Sequence, residues 1–529
     1  MVGKLDNNLV IDEEVLPETF NASSYFIDRH MEEGRSDKNS FIDKDGEYSY
    51  LDLYQKVNKV ANLTRNLGLK QEARIAMIVL DTFDNPAIFW GCIKAGVVPV
   101  TLNTLLTTEH YVQILNECRA RVLFISECLY EVIESAIGEL IYLEKIIISG
   151  DQVGQHDTLT SLLENESNKF DTVTTFRDEV AFWLYSSGST GTPKGVMHRH
   201  SSLYWISELF GKNILNVSEN DVVFSVAKLF FAYGLGNGMA FPLGTGATII
   251  LCHERVTPDI AIDFIKKYDP TIFYGVPTLY AAMIAKLNER PIEGKLKLRL
   301  CVSAGEALPE ETGNRWKKLF NVDILDGVGS TEMLHIFLSN QQGDINYGTS
   351  GKSVPGYQVK LINEDEDVIE SNGEIGELLV SGPSAPEGYW NNRIKTIDTF
   401  RGRWTYTGDK YYQDEQGYYH YCGRKDEMFK SGGNWVSPFE VEATLIAHDK
   451  VLEAAIVPQK DSSGNLKPKA FVIVKDNVST DDDLKKELQD FVKLKIELWK
   501  YPRWIKFVDS LPKTATGKIQ RYKLKNHNK

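Results

Sequence analysis

The segment with the clearest chemical character covers residues 185–195 and reads YSSGSTGTPKG. It follows an apolar run and combines three glycines, several hydroxyl side chains and one lysine. Glycines allow backbone N–H groups to face an anion, hydroxyl groups add hydrogen-bond donors, and the lysine adds positive charge. A flexible surface loop has a similar composition, but a lysine behind a proline, directly after a predicted strand, favours phosphate binding. The candidate phosphate ligands are Ser186, Ser187, Gly188, Ser189, Thr190, Gly191 and Lys194.

Two other local patterns are weaker. Gly517-Lys518 is followed by Ile519, and the segment at 185–195 also lacks the Gly-Lys-Ser/Thr order of a Walker A loop. His198 and His200 form an HxH pair that could bind a metal. Because no third ligand stands nearby in the sequence, a structural role is favoured for both histidines.

Composition narrows the class of protein. A chain of 529 residues is long enough for several compact units, and no apolar run reaches the length needed to cross a bilayer. The formal net charge of -14 argues against nucleic-acid binding, which depends on clustered Lys and Arg. The six cysteines include no CxxC pair, and the first twenty residues lack the order of a signal peptide. We therefore expect a multidomain cytoplasmic protein that binds neither nucleic acid nor a membrane.

The elements that position these residues follow an alternating pattern. Between about residues 50 and 180, amphipathic helical stretches alternate with short apolar runs such as RIAMIVL and VVPVTL. The alternation continues to about residue 340, with AFWLYSS, DVVFSVA and LRLCVSAG among the strand candidates. Such alternation is typical of doubly wound α/β sheets. We expect two α/β subdomains, at about residues 1–180 and 181–345.

The pattern changes after residue 345. Residues 346–425 contain short β-like runs separated by Gly and Asn turns, which predict a small β-rich subdomain. Beyond them, VEATLIAHDKVLEAAIVPQ, KAFVIVK and DDLKKELQDFVKLKI predict a compact α+β unit. No Pro-rich or Gly/Ser-rich linker intervenes, so the junction is predicted to be a short hinge. The predicted division is an N-terminal domain at 1–425 and a C-terminal domain at 426–529.

Seven segments resemble, in order, the motifs of the adenylate-forming superfamily, which includes acyl- and aryl-CoA synthetases, peptide-synthetase adenylation domains and firefly-type luciferases. They are YSSGSTGTPKGV, SAGEALP (303–309), GVGSTE (327–332), YTGD (406–409), GRKDE (423–427), KSGG (430–433) and PKTATGK (512–518). The resemblance covers nearly the whole chain. It implies a large α/β N-terminal domain, a mobile C-terminal domain, and an enzyme that joins a carboxylic acid to a thiol through an acyl-adenylate.

The resemblance also implies roles for residues around the nucleotide. Glu332 would hold a Mg²⁺ ion that screens the triphosphate, and Thr331 would donate to the α-phosphate. Asp409 would accept hydrogen bonds from the ribose hydroxyls. The other implied ATP or AMP ligands are Gly305, Glu306, Ala307, Asp326 and Arg424.

Glu332 and Asp409 also have ordinary structural interpretations. Glu332 could be the acidic first-turn residue of a helix capped by Ser330 or Thr331. Asp409 could belong to a plain turn. Val328 stands where many relatives have an aromatic residue that stacks on adenine, so the resemblance does not support aromatic stacking here.

The C-terminal motifs imply a domain that works in two positions. Lys518 resembles the catalytic lysine of the family, whose charge stabilises carboxylate attack on the α-phosphorus; outside the motif it would be an ordinary solvated charge. Asp426 resembles the hinge residue about which the C-terminal domain rotates between half-reactions. After rotation, a turn would line the pantetheine tunnel, although without the resemblance it is a plain β-turn. That turn is Lys430, Ser431, Gly432 and Gly433.

The acid-pocket segments look most like those of benzoate:CoA ligases, notably LFFAYGLGNG (229–238) and GVGSTEMLHIFLSN (327–340). Small residues at 232, 304 and 327 would leave a flat slot that Tyr233 and Ile336 could close, which suits a planar ring. His335 is predicted to line the pocket without a catalytic role, because a lone histidine at the start of an apolar helix is more often structural. The predicted pocket residues are Phe231, Ala232, Tyr233, Ala304, Gly327, His335 and Ile336.

Three functions are compatible with these motifs. The leading one is an aryl-CoA ligase that uses ATP, Mg²⁺ and CoA to activate a small aromatic acid, either benzoate or a substituted benzoate such as 4-hydroxybenzoate. The second is an aryl-acid adenylating enzyme that loads a carrier-protein phosphopantetheine, which presents the same thiol as CoA. The third, a non-catalytic nucleotide-binding homologue, is disfavoured because Lys518 and Glu332 are present. We expect a monomer or a homodimer.

Overall fold

The computed structural model describes residues 15–187, 193–292, 294–475, 478–513 and 519–526. Its helices pack on both α/β sheets and in the C-terminal part. They are α1 (Arg29–Glu32), α2 (Tyr50–Asn66), α3 (Asp84–Lys94), α4 (Thr108–Cys118), α5 (Glu131–Glu134), α6 (Leu159–Leu163), α7 (His200–Ile206), α8 (Ala232–Leu235), α9 (Phe241–Leu243), α10 (Pro258–Tyr268), α11 (Pro277–Glu289), α12 (Glu310–Phe320), α13 (Arg393–Thr399), α14 (Pro438–Ile446), α15 (Asp482–Lys495) and α16 (Arg521–Asn526).

The strands form two large sheets, a smaller antiparallel sheet and the sheets of the C-terminal part. They are β1 (Asn39–Ile42), β2 (Glu47–Ser49), β3 (Arg74–Ile78), β4 (Val98–Thr101), β5 (Val122–Ser126), β6 (Lys145–Ser149), β7 (Asp157–Thr158), β8 (Val180–Ser187), β9 (Pro193–Arg199), β10 (Val222–Ser225), β11 (Thr248–Ile250), β12 (Ile272–Gly275), β13 (Leu300–Ser303), β14 (Ile324–Gly329), β15 (Ile336–Ser339), β16 (Lys352–Ser353), β17 (Gln358–Ile362), β18 (Gly376–Ser381), β19 (Gly388–Tyr389), β20 (Phe400–Arg401), β21 (Trp404–Gln413), β22 (Tyr419–Arg424), β23 (Phe429–Ser431), β24 (Asn434–Val436), β25 (Val451–Lys460), β26 (Leu466–Val474) and β27 (Trp504–Phe507).

Two large sheets confirm the predicted α/β class. In the described residues the first sheet has the strand order β19-β9-β8-β4-β3-β5-β6-β7, and the second has the order β16-β15-β14-β13-β12-β10-β11-β1-β2. Their central strands are parallel, and a strand such as β5 is buried at every position. Parallel strands covered on both faces by helices need such continuous apolar sequences.

Sheet membership differs from the predicted division at residue 180. Strand β8 pairs with β4 and β9, so the first sheet continues through Arg199 and later adds β19. Strand β1 pairs with β11, with Phe41 opposite Ile249, so the second sheet begins near residue 39. The chain thus starts in the second sheet, builds the first and then returns. Local sequence patterns miss this crossing because the paired strands lie far apart in the chain.

One hydrophobic core joins the two large sheets. It includes Phe41 of the second sheet, Trp90 of α3 and Phe182 of the first sheet, all fully buried. Helices α2 and α3 approach so closely that a Cβ at Gly91 would lie 2.6 Å from Val60 Cβ. Loss of one of these large buried side chains from a close-packed interior costs several kcal/mol. The shared core therefore fixes the position of one sheet against the other.

The remaining strands form smaller units. Strands β17, β18, β21, β20 and β22 make an antiparallel sheet between residues 358 and 424. In the C-terminal part, β25, β26 and β27 pack with α14 and α15 around a separate apolar cluster that contains Val441, Leu488 and Val472. Within the described residues, none of the helices combines the length and the apolar character that a bilayer-spanning segment requires.

Candidate active site

The predicted Mg²⁺ and phosphate ligands Thr331 and Glu332 lie in a tight turn between the antiparallel strands β14 and β15. Ser330 Oγ accepts a hydrogen bond from the Met333 N–H at 3.1 Å, and the Leu334 N–H donates to the Thr331 carbonyl oxygen at 3.1 Å. The backbone of Leu334 has φ +63°, a left-handed conformation that tightens the reversal. The interpretation of Glu332 as a helix-capping acid is therefore wrong, because no helix begins at this turn.

Glu332 contacts a residue that the sequence motifs did not single out. The Tyr389 hydroxyl donates to Glu332 Oε1 at 2.7 Å, and Lys194 Nζ lies 5.1 Å from the centre of the Tyr389 ring. Strand β19 brings Tyr389 there by pairing with β9, where Tyr389 stands opposite Val196. Burial lowers the pKa of Lys194, and the Glu332 carboxylate opposes that shift. The only sequence signal was the Gly-Tyr-Trp triplet at 388–390.

The predicted phosphate loop is framed by two strands that the structure describes. Ser186 and Ser187 end β8, and Lys194 begins β9, with Ser186 opposite Lys194 in the antiparallel pair. Ser186 Oγ is buried and makes no hydrogen bond within the described residues. Gly188, Ser189, Thr190 and Gly191 lie outside the described residues, as does Lys518. Ser186 and Lys194 therefore stand opposite each other on the two strands that flank the predicted loop.

The predicted adenine segment follows β13. Gly305, with φ +95°, is exposed, and Glu306 and Ala307 are half-buried. Asp326 of β14 is buried behind this segment, and its Oδ2 accepts from the Leu308 N–H at 3.2 Å. Asp326 Oδ1 has no hydrogen-bond partner among the described residues. Burial raises the pKa of Asp326 to about 8, so the carboxyl group is largely protonated at neutral pH.

The predicted ribose ligand Asp409 lies opposite Arg424 in the antiparallel pair of β21 and β22. Arg424 Nη1 donates to Asp409 Oδ1 at 3.1 Å and to the Thr407 carbonyl oxygen at 2.8 Å. Arg424 Nε also lies 3.7 Å from Asp426 Oδ1, at the predicted hinge. Although burial disfavours its charge, Asp409 and Asp426 hold the pKa of Arg424 above its usual range. Arg424 thus joins the candidate ribose site to the domain junction.

Among the predicted acid-pocket residues, Tyr233, near the start of α8, contacts His335, and Gly327 lies against Ile336. The Tyr233 hydroxyl lies 3.2 Å from the carbonyl oxygens of both Gly275 and Val302, at the ends of β12 and β13. His335 Nε2 lies 3.3 Å from the Tyr233 carbonyl oxygen. A Cβ at Gly327 would lie 2.9 Å from Ile336 Cγ2, so glycine allows Ile336 to cover this position. Phe231, Ala232 and Ala304 complete the set, with Ala232 and Ala304 buried and Phe231 half-buried.

His335 is a neutral residue in an apolar setting. Its ring packs edge-on against Phe241 with a centroid distance of 4.5 Å, and burial lowers its pKa to about 3. Its Nδ1 has no hydrogen-bond partner among the described residues. The expectation that His335 begins a helix is wrong, since it directly precedes strand β15. Phe241, which lies outside the quoted motifs, and Gly236, which lies inside one but was not predicted as a pocket residue, also lie against the imidazole.

The predicted CoA-tunnel residues form the hairpin of β23 and β24. Gly432 and Gly433 occupy its two-residue turn with φ +63° and +87°, which is the backbone that favours glycine at both positions. Both are exposed, and a Cβ at either would have no heavy atom within 4 Å. Lys430 Nζ lies 3.6 Å from Glu364 Oε1, and Ser431 Oγ accepts from Lys467 Nζ at 3.3 Å. A role of this hairpin in binding pantetheine stays a prediction.

The AMP-binding enzyme family matches residues 27–390, and the AMP-binding enzyme C-terminal domain matches residues 440–518. The chain belongs to the AMP-binding enzyme family. The predicted membership of the adenylate-forming superfamily is therefore confirmed.

Relatives within the AMP-binding enzyme family are similar over nearly their whole length. The chain is 50% identical to a benzoate–CoA ligase of Thauera aromatica, covering 97% of each chain. It is 49% identical to a 4-hydroxybenzoate–CoA/benzoate–CoA ligase of Rhodopseudomonas palustris, covering 96% of this chain and 94% of the relative. The crystal structure of a benzoate CoA ligase from Burkholderia xenovorans LB400 superposes with a TM-score of 0.88 at 45% identity, over 96% of this chain and 99% of that one.

Proposed function

We propose that this protein is an AMP-forming aryl-CoA ligase of the benzoate type. The observation that carries the proposal is its similarity to a benzoate–CoA ligase, 50% identical over 97% of both chains. The apolar cluster around Tyr233 and His335 supports the same substrate class, because its buried side chains suit a planar ring better than a long chain.

The proposed reaction has two steps. A carboxylate oxygen of the acid attacks the α-phosphorus of ATP and pyrophosphate leaves, which gives the acyl-adenylate. The CoA sulfur then attacks the acyl carbon, loses its proton and displaces AMP. The first step brings one anion against another, so fixed positive charges and N–H donors stabilise its transition state. Lys194, Thr331 and Lys518 are the candidates for that role, and Asp409 is the candidate ribose acceptor.

Mg²⁺ fits the candidate site as a cation shared with the phosphates of ATP. Proteins usually hold Mg²⁺ through one or two carboxylates and substrate phosphates, not through an all-protein cage. Within the described residues, no group of three or more His, Cys, Asp or Glu gathers into such a cage. Glu332, which accepts one hydrogen bond from Tyr389, would hold the ion, and the ion would neutralise phosphate charge.

A substituted benzoate is the second candidate substrate. If the His335 Nε2–H donates to the Tyr233 carbonyl oxygen, then the buried Nδ1 is an acceptor without a partner among the described residues. A ring hydroxyl group could satisfy that acceptor. The relative of Rhodopseudomonas palustris, at 49% identity, is a ligase for both 4-hydroxybenzoate and benzoate, which supports this alternative.

The experiment compares kcat/KM for benzoate, 2-hydroxybenzoate, 4-hydroxybenzoate and octanoate. We expect benzoate to exceed 2-hydroxybenzoate, because an ortho hydroxyl group would face the Ala232 methyl group and lose its hydrogen bond. An unpaired buried hydroxyl costs roughly 1 to 3 kcal/mol, or about 5- to 150-fold in specificity. A faster reaction with 2-hydroxybenzoate or octanoate would contradict the proposed pocket. AMP release with free CoA, compared with release only with an aryl-carrier protein, identifies the thiol acceptor.

A further inference from the structure

Tyr389 is fixed from two sides next to the candidate metal ligand. On one side, β19 pairs with β9 and places Tyr389 opposite Val196, two residues after Lys194. On the other side, the Tyr389 N–H donates to Thr396 Oγ1 of α13 at 3.1 Å. Only 5% of the Tyr389 surface is exposed. Two elements therefore hold the backbone of Tyr389, and burial of its side chain restricts the rotamers that place the hydroxyl group.

The two ends of this tyrosine contact opposite charges. Its hydroxyl group donates to Glu332 Oε1 at 2.7 Å, and its ring lies 5.1 Å from Lys194 Nζ. The carboxylate lies near enough to Lys194 to oppose the burial shift of its pKa. Yet Lys194 and Glu332, both of which the structure describes, form no ion pair with each other. Tyr389 thus interacts with both the Glu332 carboxylate and the Lys194 ammonium group, which do not pair with each other.

This separation matters for the proposed reaction. A Lys–Glu ion pair would neutralise both groups and occupy the carboxylate oxygens that a hard cation needs. A phenol that donates to the carboxylate orients it and leaves the second oxygen for other ligands, as partners of metal ligands commonly do. The ring face attracts the ammonium group without removing its N–H donors. Both groups then remain available to the triphosphate and its cation.

We propose that Tyr389 is a positioning residue that orients the Glu332 carboxylate and keeps it from pairing with Lys194. The proposal rests on the proposed function, because it assigns Glu332 to the cation and Lys194 to the phosphates of ATP. Tyr389 itself acts through these two residues. Its hydroxyl group controls cation binding, and its ring controls the place of the ammonium group.

The test uses Tyr389→Phe, which removes only the hydroxyl group, and Tyr389→Leu, which also removes the ring. The control is Tyr418→Phe, because the Tyr418 hydroxyl group likewise donates to a carboxylate, that of Asp344. Electron paramagnetic resonance measures Mn²⁺ binding to the full-length protein with α,β-methylene-ATP, in the absence of acid and CoA. ATP–pyrophosphate exchange gives the half-saturating Mg²⁺ concentration and the KM of the acid, and circular dichroism reports folding.

We expect Tyr389→Phe to weaken Mn²⁺–nucleotide binding by about 10-fold, the lower end of what partners of metal ligands contribute. The half-saturating Mg²⁺ concentration should rise in parallel while the KM of the acid stays unchanged. Tyr389→Leu should weaken binding further, and Tyr418→Phe should match the wild type.

Two results with the variants overturn the proposal. One is a folded Tyr389→Phe protein whose Mn²⁺–nucleotide affinity lies within about 2-fold of the wild type, far below the effect of a metal-ligand partner. The other is equal weakening in Tyr418→Phe, which would indicate a general effect of losing a tyrosine–carboxylate bond. A wild-type protein that binds Mn²⁺–nucleotide but activates no aryl acid would overturn the proposed function alone. A wild-type protein that does not bind Mn²⁺–nucleotide would overturn both.

Discussion

Asp326, at the candidate nucleotide site, lowers the stability of the folded protein as the pH rises. Its carboxyl group is buried, Oδ1 has no partner among the described residues, and burial raises its pKa to about 8. An acid whose pKa is higher in the folded than in the unfolded protein contributes stability below its unfolded pKa. That contribution is lost as the pH rises from about 4 through about 8.

Asp326→Asn should therefore stabilise the protein without nucleotide in a pH-dependent way, because the amide resembles the protonated acid and cannot ionise. We expect the difference in unfolding free energy between variant and wild type to grow from pH 5 to pH 8, by up to about 1.4 kcal/mol per pH unit. Urea unfolding at several pH values measures it. Asp482→Asn, at a side chain 95% exposed, is the control, and growth of the same size there would contradict the assignment to Asp326.

Residue identities at the site were largely predictable, whereas their contacts were not. The motifs gave Lys194, Glu332 and Asp409 because each has a characteristic local neighbourhood in the sequence. Tyr389 had no such neighbourhood, since its partner Glu332 lies 57 residues earlier in the chain. A contact of this kind depends on the pairing of β19 with β9, which a local pattern does not encode.

At the scale of elements, the hairpin of β23 and β24 has a turn with positive φ angles and open space around it. Gly432 and Gly433 both have positive φ and neither faces a neighbouring atom. In the described arrangement, the space around the turn has no packing role. Its glycines are then required by the turn geometry and, in the proposed enzyme, by the pantetheine arm that would pass beside them.

Gly432→Leu should spare adenylation and slow thioester formation by about 10²-fold, a loss typical of a misplaced reacting group. The branched side chain would fill the proposed tunnel once the hairpin reaches it. Pyrophosphate exchange measures the first half-reaction, and thioester release from supplied acyl-adenylate measures the second. Gly464→Leu is the matched control, because Gly464 also has positive φ, +82°, in an exposed turn. Equal loss in both half-reactions would remove the tunnel assignment.

Elements were predicted better than their partners. The alternation of apolar runs and amphipathic stretches gave the α/β class, since both periodicities are local. The helix-start alternative for Glu332 is wrong because, although Gly-Ser-Thr-Glu satisfies the rules for a helix start, the chain reverses there into β15. The antiparallel pairing of β14 with β15 outweighs that local preference, as tertiary contacts often do.

At the scale of the whole molecule, the two half-reactions are expected to use different faces of the C-terminal domain. Arg424 links Asp409 of the N-terminal part to Asp426 at the predicted hinge. Beyond the hinge, the C-terminal part has its own apolar cluster, which allows it to move as a unit. A rotation about residue 426 would therefore change which of its loops meets the nucleotide without disturbing either core.

Lys518→Ala should lose acid-dependent ATP–pyrophosphate exchange by about 10² to 10³, the usual effect of removing one preorganised charge contact. The conversion of supplied acyl-adenylate to thioester should be largely retained, because that step would use the other face of the domain. Lys523→Ala, at an exposed lysine of α16, should leave both steps unchanged. If Lys518→Ala damaged both steps equally, domain alternation would not explain this protein.

Because β1 pairs with β11, the second sheet is completed only late in synthesis. Phe41 emerges from the ribosome early, yet its partner Ile249 follows about 200 residues later, which takes roughly 10 to 40 s at about 5 to 20 residues per second. During that interval β2 can cover one edge of β1, while the opposite edge presents unpaired N–H and C=O groups to other nascent chains. Until β11 is made, that edge can therefore pair with another chain, and a chaperone that shields residues 39–42 would act before the site exists.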